Sequence, residues 1–149
     1  MKKFTKAILT SIVVSTLMVG TNLANAASLL PAVQHSGANA FVTGGIGLDE
    51  SVAFKIAMKD WPLSLQFAEK DGQRAHYVAD VQVVVTDAKG QVAIKAKSDG
   101  PFMLTNIPVG NYKIDATLAG KTLHQQVEIK EGQPTKATFL WPSGTGETH

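Results

Sequence analysis

Apolar and polar residues alternate with a period of two over most of the second half of the chain. In the first such run, Leu63, Leu65 and Phe67 alternate with polar or small residues. Similar short runs follow, separated by turn sequences such as Asp87–Gly90. One apolar and one polar face per strand is typical of antiparallel sheets that pack on one side. The pattern therefore predicts an all-β fold, a seven-stranded antiparallel sandwich over residues 63–142.

The segment before these strands has a helical pattern. Val52 and Ile56, like Ala53 and Ala57, stand four residues apart on one apolar stripe, and Asp49 occupies the position expected of a helix N-cap. The pattern predicts a short helix over Glu50–Met58. Pro62 prevents this helix from continuing.

The N-terminus has the pattern of a secretory signal peptide. Three lysines precede an uncharged, mostly apolar stretch, Ala7–Val19, and small residues follow at Ala24–Ala26. The apolar stretch is shorter than the ~20 residues that a membrane span needs. We therefore expect cleavage after Ala26, a periplasmic location and no stable membrane insertion afterwards. The predicted segments are a signal peptide, a flexible lead-in, a helical segment, a sandwich domain and a flexible tail, over residues 1–26, 27–40, 41–62, 63–142 and 143–149.

Charge and cysteine content exclude several classes of function. The whole chain has 14 basic and 12 acidic residues, but without the three lysines of the signal peptide 11 basic residues face 12 acidic ones, a net charge of −1. Nucleic acids and anionic membranes attract clustered Lys and Arg, so neither is an expected partner. The chain contains no cysteine, which excludes disulfides, thiolate metal sites and cysteine nucleophiles.

Residues 83–129 carry a series of turn motifs that are spaced between strands. An Asp-Gly pair closes a turn before an aromatic core residue, and a Pro-x-Gly-x-Tyr motif combines a locked φ with a residue that tolerates positive φ. The residues of this signature are Asp99, Gly100, Phe102, Pro108, Gly110 and Tyr112.

This signature resembles that of the carboxypeptidase regulatory-like domains, which are transthyretin-like (prealbumin-like) sandwiches. The resemblance implies a prealbumin-like or Ig-like arrangement of the seven strands. It also implies a non-catalytic role, since such domains are mostly accessories to other proteins. One enzyme of this fold, the hydroxyisourate hydrolase, ends in Tyr-Arg-Gly-Ser and uses His and Arg together. This chain ends in Glu147–His149, and its one arginine is Arg74, so that activity is not expected.

The sequence contains no recognisable catalytic or metal-binding motif. No G-x-S-x-G elbow is present, and the histidines form no H-x-H or H-x-x-x-H pair. We therefore predict a protein that is not an enzyme and needs no metal or cofactor. A metal carrier would require at least two of four residues to converge, namely His35, His76, His124 and Glu128.

Three aromatic residues and two basic neighbours are candidates for a ligand or partner surface. Exposed Trp and Tyr rings are suited to stacking on sugars, whereas the same rings also fill protein cores. Trp141 shares the parity of the apolar positions of its strand, which favours burial. The candidates are Trp61, Tyr77, Trp141, Arg74 and His76.

The function expected from these observations is that of a periplasmic, non-catalytic binding or accessory protein whose partner is another envelope protein. The expected recognition surfaces are the loops Glu69–His76 and Gly44–Asp49, or an open sheet edge that accepts a strand. An alternative is a carbohydrate- or cell-wall-binding module. A metal carrier or hydrolase is a weaker alternative.

Overall fold

The computed structural model describes residues 29–147. The predicted signal peptide and His149 lie outside these residues. The described chain forms ten strands, one α-helix and one 3₁₀ helix. In chain order these are β1 (Gln34–Ser36), β2 (Asn39–Gly44), α1 (Leu48–Ala57), the 3₁₀ helix (Met58–Asp60), β3 (Leu63–Asp71), β4 (Arg74–Tyr77), β5 (Gln82–Asp87), β6 (Val92–Lys97), β7 (Phe102–Asn106), β8 (Gly110–Leu118), β9 (Lys121–Ile129) and β10 (Thr135–Trp141).

The strands form two sheets. The larger has the order β1-β2-β7-β3-β10, with β4 paired to the end of β3, and the smaller has the order β6-β5-β8-β9. A β-rich chain with one short helix is thus confirmed, but the prediction of seven antiparallel strands is wrong. β10 runs parallel to β3, with Thr135 opposite Leu63. Alternation along a strand reports which residues share a face and not the direction of its neighbour, so the sequence pattern could not show this.

Three of the ten strands lie where no strand was predicted. β1 and the start of β2 fall within the predicted lead-in, and the rest of β2 falls within the predicted helical segment. The end of β3 and most of β4 together replace most of the expected loop Glu69–His76. The last four residues of β2 are all buried, and all of β4 is exposed, so neither strand shows the alternation that identifies a half-buried strand.

The main hydrophobic core lies between the two sheets. Leu65 and Phe67 of β3 pack in the same cluster as Val83 and Ile114 of the smaller sheet. At one end of this core the rings of Phe67 and Trp141 lie 6.3 Å apart. These buried apolar faces are the ones that the alternating sequence pattern predicts.

The helix α1 covers the outer face of the larger sheet. Its Phe54 ring stacks on Phe102 of β7 at a centroid distance of 5.7 Å, and both join a second cluster with Val42 and Leu104. Phe102 is therefore buried as predicted, but beneath the helix and not between the sheets. Phe102 and Leu104 of β7 face α1, whereas Met103 between them faces the main core.

A glycine-rich turn joins β2 to α1. The N-cap is Gly47, with a φ of 90°, and no side chain caps the helix; the prediction of an Asp49 N-cap is wrong. Glu50 in the first turn takes over part of this role, because its Oε1 accepts a hydrogen bond from the Gly45 N–H at 2.7 Å. A carboxylate that reaches back from the first turn satisfies a free N–H and favours the positive end of the helix dipole.

The Pro-x-Gly-x-Tyr motif is stabilised by a local hydrogen bond. The Tyr112 hydroxyl donates to the Pro108 carbonyl oxygen at 2.7 Å, four residues upstream. This resembles the tyrosine corner of Ig-like sandwiches, in which a Tyr hydroxyl also bonds back to the preceding backbone. Burial, and secondarily the nearby Asp87 carboxylate, raise the pKa of Tyr112 above its ordinary value of 10.0.

Tyr112 should make the fold sensitive to alkaline pH. A raised pKa means that the folded state holds the phenolic proton more tightly than the unfolded state, so this contribution to stability is complete below pH 10.0 and is lost as the pH rises further. Tyr112→Phe should cost about 1 kcal/mol at neutral pH, the value of one hydrogen bond, and lose less stability than the wild type at high pH. Urea unfolding at about pH 8 and about pH 11 measures the difference. An equal alkaline loss in both proteins would contradict the assignment.

Candidate functional site

The exposed face of α1 is unusually apolar. Leu48, Val52 and Ile56 are 79%, 44% and 57% exposed. Their i, i+4, i+8 spacing places them on one side of the helix, opposite the side that carries Phe54. Val52 and Ile56 of the predicted stripe therefore face solvent, whereas Ala53 of that stripe is buried and, together with Phe54, packs the helix on the sheet.

A groove of about 550 Å³ lies between α1, the first described residues of the chain and Trp61. Leu29, which is half exposed, continues the apolar surface beyond the helix. We call this surface the α1 groove. Its lining residues are Leu29, Leu30, Leu48, Asp49, Val52, Ala53, Ile56, Ala57, Asp60 and Trp61.

The charges that line the α1 groove are of one sign. Asp49 and Asp60 are its two charged lining residues, and both are acidic. Lys55, in the same helix, lies instead over the ring of Tyr77, with its Nζ 5.7 Å from the ring centroid. The groove is thus apolar along its length and acidic at two positions.

Trp61 lies between two grooves. It packs against the cluster beneath α1, lines the α1 groove, and also lines a second groove of about 420 Å³. This second groove runs along the loops that precede β8 and β10, and Gln133 and Glu131 contribute polar side chains to it. Trp61 is only half buried, so it is the predicted surface residue that the structure places best for contact with a ligand.

Tyr77 is exposed, but its ring has two close neighbours. The centroid of the Tyr77 ring lies 5.3 Å from that of the Phe102 ring and 5.7 Å from the Lys55 Nζ. Arg74 and His76 lie on the same exposed strand, β4. These three residues share one strand, and none of them lines the α1 groove.

Trp141 does not belong to the surface. It is completely buried, packs against Phe139 and Phe67, and donates a hydrogen bond from its Nε1 to the Lys121 carbonyl oxygen at 2.9 Å. Of the two interpretations that the sequence left open for Trp141, core packing is the correct one. A sugar-binding platform that includes Trp141 is thereby excluded.

The expected recognition loop Glu69–His76 is a hairpin with a buried acid at its base. Glu69 is 3% exposed, and its Oε2 accepts a hydrogen bond from the Gly146 N–H at 3.1 Å. The His76 Nε2 lies 3.9 Å from the same oxygen. Ser143 also donates a hydrogen bond to the Lys70 carbonyl oxygen at 2.7 Å, so the start of the predicted flexible tail is attached to this hairpin.

The histidines of the described chain lie on three different strands. His35 is on β1 and His76 on β4, while His124 on β9 pairs with Asp115 of β8. Within residues 29–147, no three His, Asp or Glu side chains are arranged to hold a metal ion. Glu128, the fourth residue named for a metal carrier, lies on β9 with His124.

The sheet edges are partly closed by side chains. The Asn39 amide donates to the Ala93 carbonyl oxygen at 2.9 Å where β2 approaches β6. On the opposite side, the Gln125 amide donates to the Thr138 carbonyl oxygen at 2.6 Å. Backbone groups that are already bonded cannot pair with an added strand. The α1 groove is therefore a better candidate for a partner site than either edge.

Comparison with known proteins adds no family to this description. No protein-family model matches the chain, and no curated protein matches it as a relative. In the part of the chain that the structure describes, no helix combines the length and the apolar character needed to cross a membrane.

Proposed function

We propose that this protein is a periplasmic, non-catalytic accessory protein that binds another envelope protein through the α1 groove. The observation that carries the proposal is the solvent-facing stripe of Leu48, Val52 and Ile56 beside the groove. Single exposed apolar residues are ordinary, but a contiguous apolar patch is typical of protein interaction sites.

Burial of this stripe would supply binding energy. Apolar surface contributes roughly 25 cal/mol per Å² when it leaves water, so covering three aliphatic side chains is worth several kcal/mol. The helix is held rigidly by Phe54 and Phe102 beneath it, so little ordering is needed when a partner binds.

Two further features support the location and the fold type of this proposal. The N-terminal lysines, the apolar stretch and the small residues at Ala24–Ala26 are consistent with export. The Tyr112–Pro108 hydrogen bond and the two packed sheets are consistent with a transthyretin-like sandwich of the carboxypeptidase regulatory-like type. In this proposal the sandwich is the scaffold, and the helical segment provides the recognition surface.

Replacement of Val52 by glutamate should abolish partner binding without unfolding the protein. Substitution of an exposed residue changes the free energy of unfolding by only about 0.5 kcal/mol. A charge in an apolar interface, by contrast, must lose its hydration when the partner binds, which opposes binding. The matched control is Val92→Glu, because Val92 is also exposed but lies on β6 of the other sheet. Tagged proteins are cross-linked in periplasmic extract and the captured proteins are quantified by mass spectrometry.

The expected result is a partner that the wild type and Val92→Glu recover equally and that Val52→Glu loses at least tenfold. Equal recovery by all three proteins would place the interface elsewhere. Recovery of the uncomplexed protein alone by the wild type would contradict the accessory role.

A carbohydrate- or cell-wall-binding role is the second candidate, favoured by one observation. Trp61 is half buried beside the second groove, where Asp60, Glu131 and Gln133 supply hydrogen-bonding groups. An aromatic ring next to carboxylate and amide groups suits a sugar ring. Sedimentation with purified peptidoglycan tests this role, since binding that Trp61→Ala removes and Val52→Glu leaves intact would favour it over a protein partner.

A further inference from the structure

The α1 groove combines an apolar floor with acidic groups near the two ends of the helical segment. Asp49 lies in the first turn of α1, and Asp60 ends the 3₁₀ helix that follows. At 1.5 Å per residue, eleven residues of helix separate these positions by roughly 16 Å along the axis. Val52 and Ile56 lie between the two acidic residues, and Leu48 lies directly before Asp49.

This charge pattern argues for a cationic occupant. Each carboxylate would lose part of its hydration when the groove is covered, and a basic group on the partner would offset that loss. A basic lining residue is not found in this groove within the described chain. The partner must therefore provide the positive charge.

The dimensions of the groove argue for a helix. An apolar stripe at i, i+4, i+8 is two helical turns long, and such a stripe packs well against the stripe of a second helix. An amphipathic helix presents its apolar residues with the same periodicity. Helix-in-groove binding is also compatible with the hydrogen-bonded sheet edges, because it needs no free strand.

Two other occupants fit less well. A second copy of this chain would bring the same acidic residues to the interface, so that like charges would meet. An anionic membrane surface would meet the same repulsion from Asp49 and Asp60.

We propose that the α1 groove binds a short amphipathic helix of the partner protein, with an apolar stripe of about two turns between basic residues. This inference rests on the proposed function and specifies the chemistry of the partner segment. The basic residues lie about eleven positions apart, where they reach Asp49 and Asp60.

The test uses two synthetic probes and the full-length processed protein. One probe is a fluorescein-labelled 16-residue helix with a leucine stripe and lysines at both ends, and the other has glutamate in place of each lysine. Fluorescence anisotropy measures both dissociation constants. We expect the lysine probe to bind at least tenfold more tightly, which corresponds to about 1.4 kcal/mol.

Two variants separate groove binding from general charge attraction. The double variant Asp49→Asn, Asp60→Asn should weaken binding of the lysine probe about fivefold. The double variant Asp71→Asn, Glu128→Gln removes the same amount of charge elsewhere and should leave the dissociation constant unchanged. Val52→Glu adds a negative charge, so non-specific attraction would strengthen binding of the lysine probe. Binding in the groove would instead be weakened by this variant.

Several outcomes would overturn the inference. These are equal or tighter binding of the glutamate probe, no binding of either probe, and binding of the lysine probe that Val52→Glu does not weaken. Sedimentation with phosphatidylglycerol vesicles that Val52→Glu abolishes would assign the groove to a membrane instead. The proposed function fails separately, if Val52→Glu leaves capture of the envelope partner unchanged.

Discussion

Trp141→Ala should lower the free energy of unfolding by about 4 kcal/mol, because it removes the largest fully buried side chain of the described fold. The indole contacts the Phe67 and Phe139 rings between the sheets. Its loss also leaves the Lys121 carbonyl oxygen without the hydrogen bond from Nε1. Domains of this size have a free energy of unfolding of about 5–15 kcal/mol, so the substitution would remove a large fraction of the total stability.

Urea unfolding followed by circular dichroism measures this effect. Trp61→Ala is the matched control, because it removes the same type of side chain from a half-buried position. We expect the control to cost about half as much or less. Trp141→Phe keeps most of the side-chain volume but not the N–H donor, so its loss of stability should lie between those of Trp61→Ala and Trp141→Ala. Equal losses at both tryptophans would contradict the burial of Trp141 at the end of the core.

Gly100→Ala should destabilise the protein by about 3 kcal/mol through a backbone clash. A Cβ atom at this position would lie 2.3 Å from the Gly44 carbonyl oxygen and 2.4 Å from its carbonyl carbon. Neither of those atoms can rotate away as the end of a side chain could. Gly44 is the last residue of β2, just before the turn to α1, so the clash should also disturb the attachment of the helix.

Gly120→Ala is the control that separates steric clash from backbone strain. Gly120 has a φ of 81°, and a Cβ atom there would meet nothing within 4 Å. Its substitution should therefore cost only the conformational penalty, about 1 kcal/mol. Hydrogen exchange of the α1 amides provides a second readout: faster exchange is expected in Gly100→Ala than in Gly120→Ala. Equal stability losses would show that the approach of Gly100 to Gly44 is not tight.

The close approach of Gly100 to Gly44 connects the sequence signature to the proposed function. Asp99 and Gly100 were recognised in the sequence as a turn, and the Asp99 N–H does donate to the Thr43 hydroxyl of β2 at 3.0 Å. The turn thus supports the end of β2 as well as the start of β7. Because Gly100 has no side chain, the backbone of Gly44 can pass close to it and continue through the turn into α1. The outer face of α1 in turn lines the α1 groove.

Local signals predicted the elements whose residues carry one clear period. The Asp87–Gly90 hairpin joins β5 to β6 as predicted, and a helix begins close to the predicted Glu50. Strands without alternation were missed, because β2 is buried on both faces and β4 on neither. The parallel pairing of β10 with β3 was also missed, since strand direction depends on contacts between distant parts of the chain.

The candidate site likewise combines a feature that the sequence pattern predicts with features that only the fold shows. The stripe of Val52 and Ile56 was visible in the sequence, but apolar periodicity does not show whether the stripe packs inward or faces solvent. Phe54, which packs the helix on the sheet, does not belong to the stripe that the sequence pattern identifies. Leu29 and Trp61 join the groove only through the tertiary fold, because they precede and follow the helix in sequence and have no period in common with it.

By itself the sequence determined the β-rich character of this protein, its short helix, its turn signature and the chemistry that its composition excludes. These follow from local periodicity, turn residues and residue types, which act over a few neighbouring positions. The tertiary structure decided which apolar surfaces are buried and which remain exposed. Phe54 docks against Phe102, which lies far away in sequence. The apolar residues on the opposite side of α1 are left in solvent because the sheet can cover only one face of the helix.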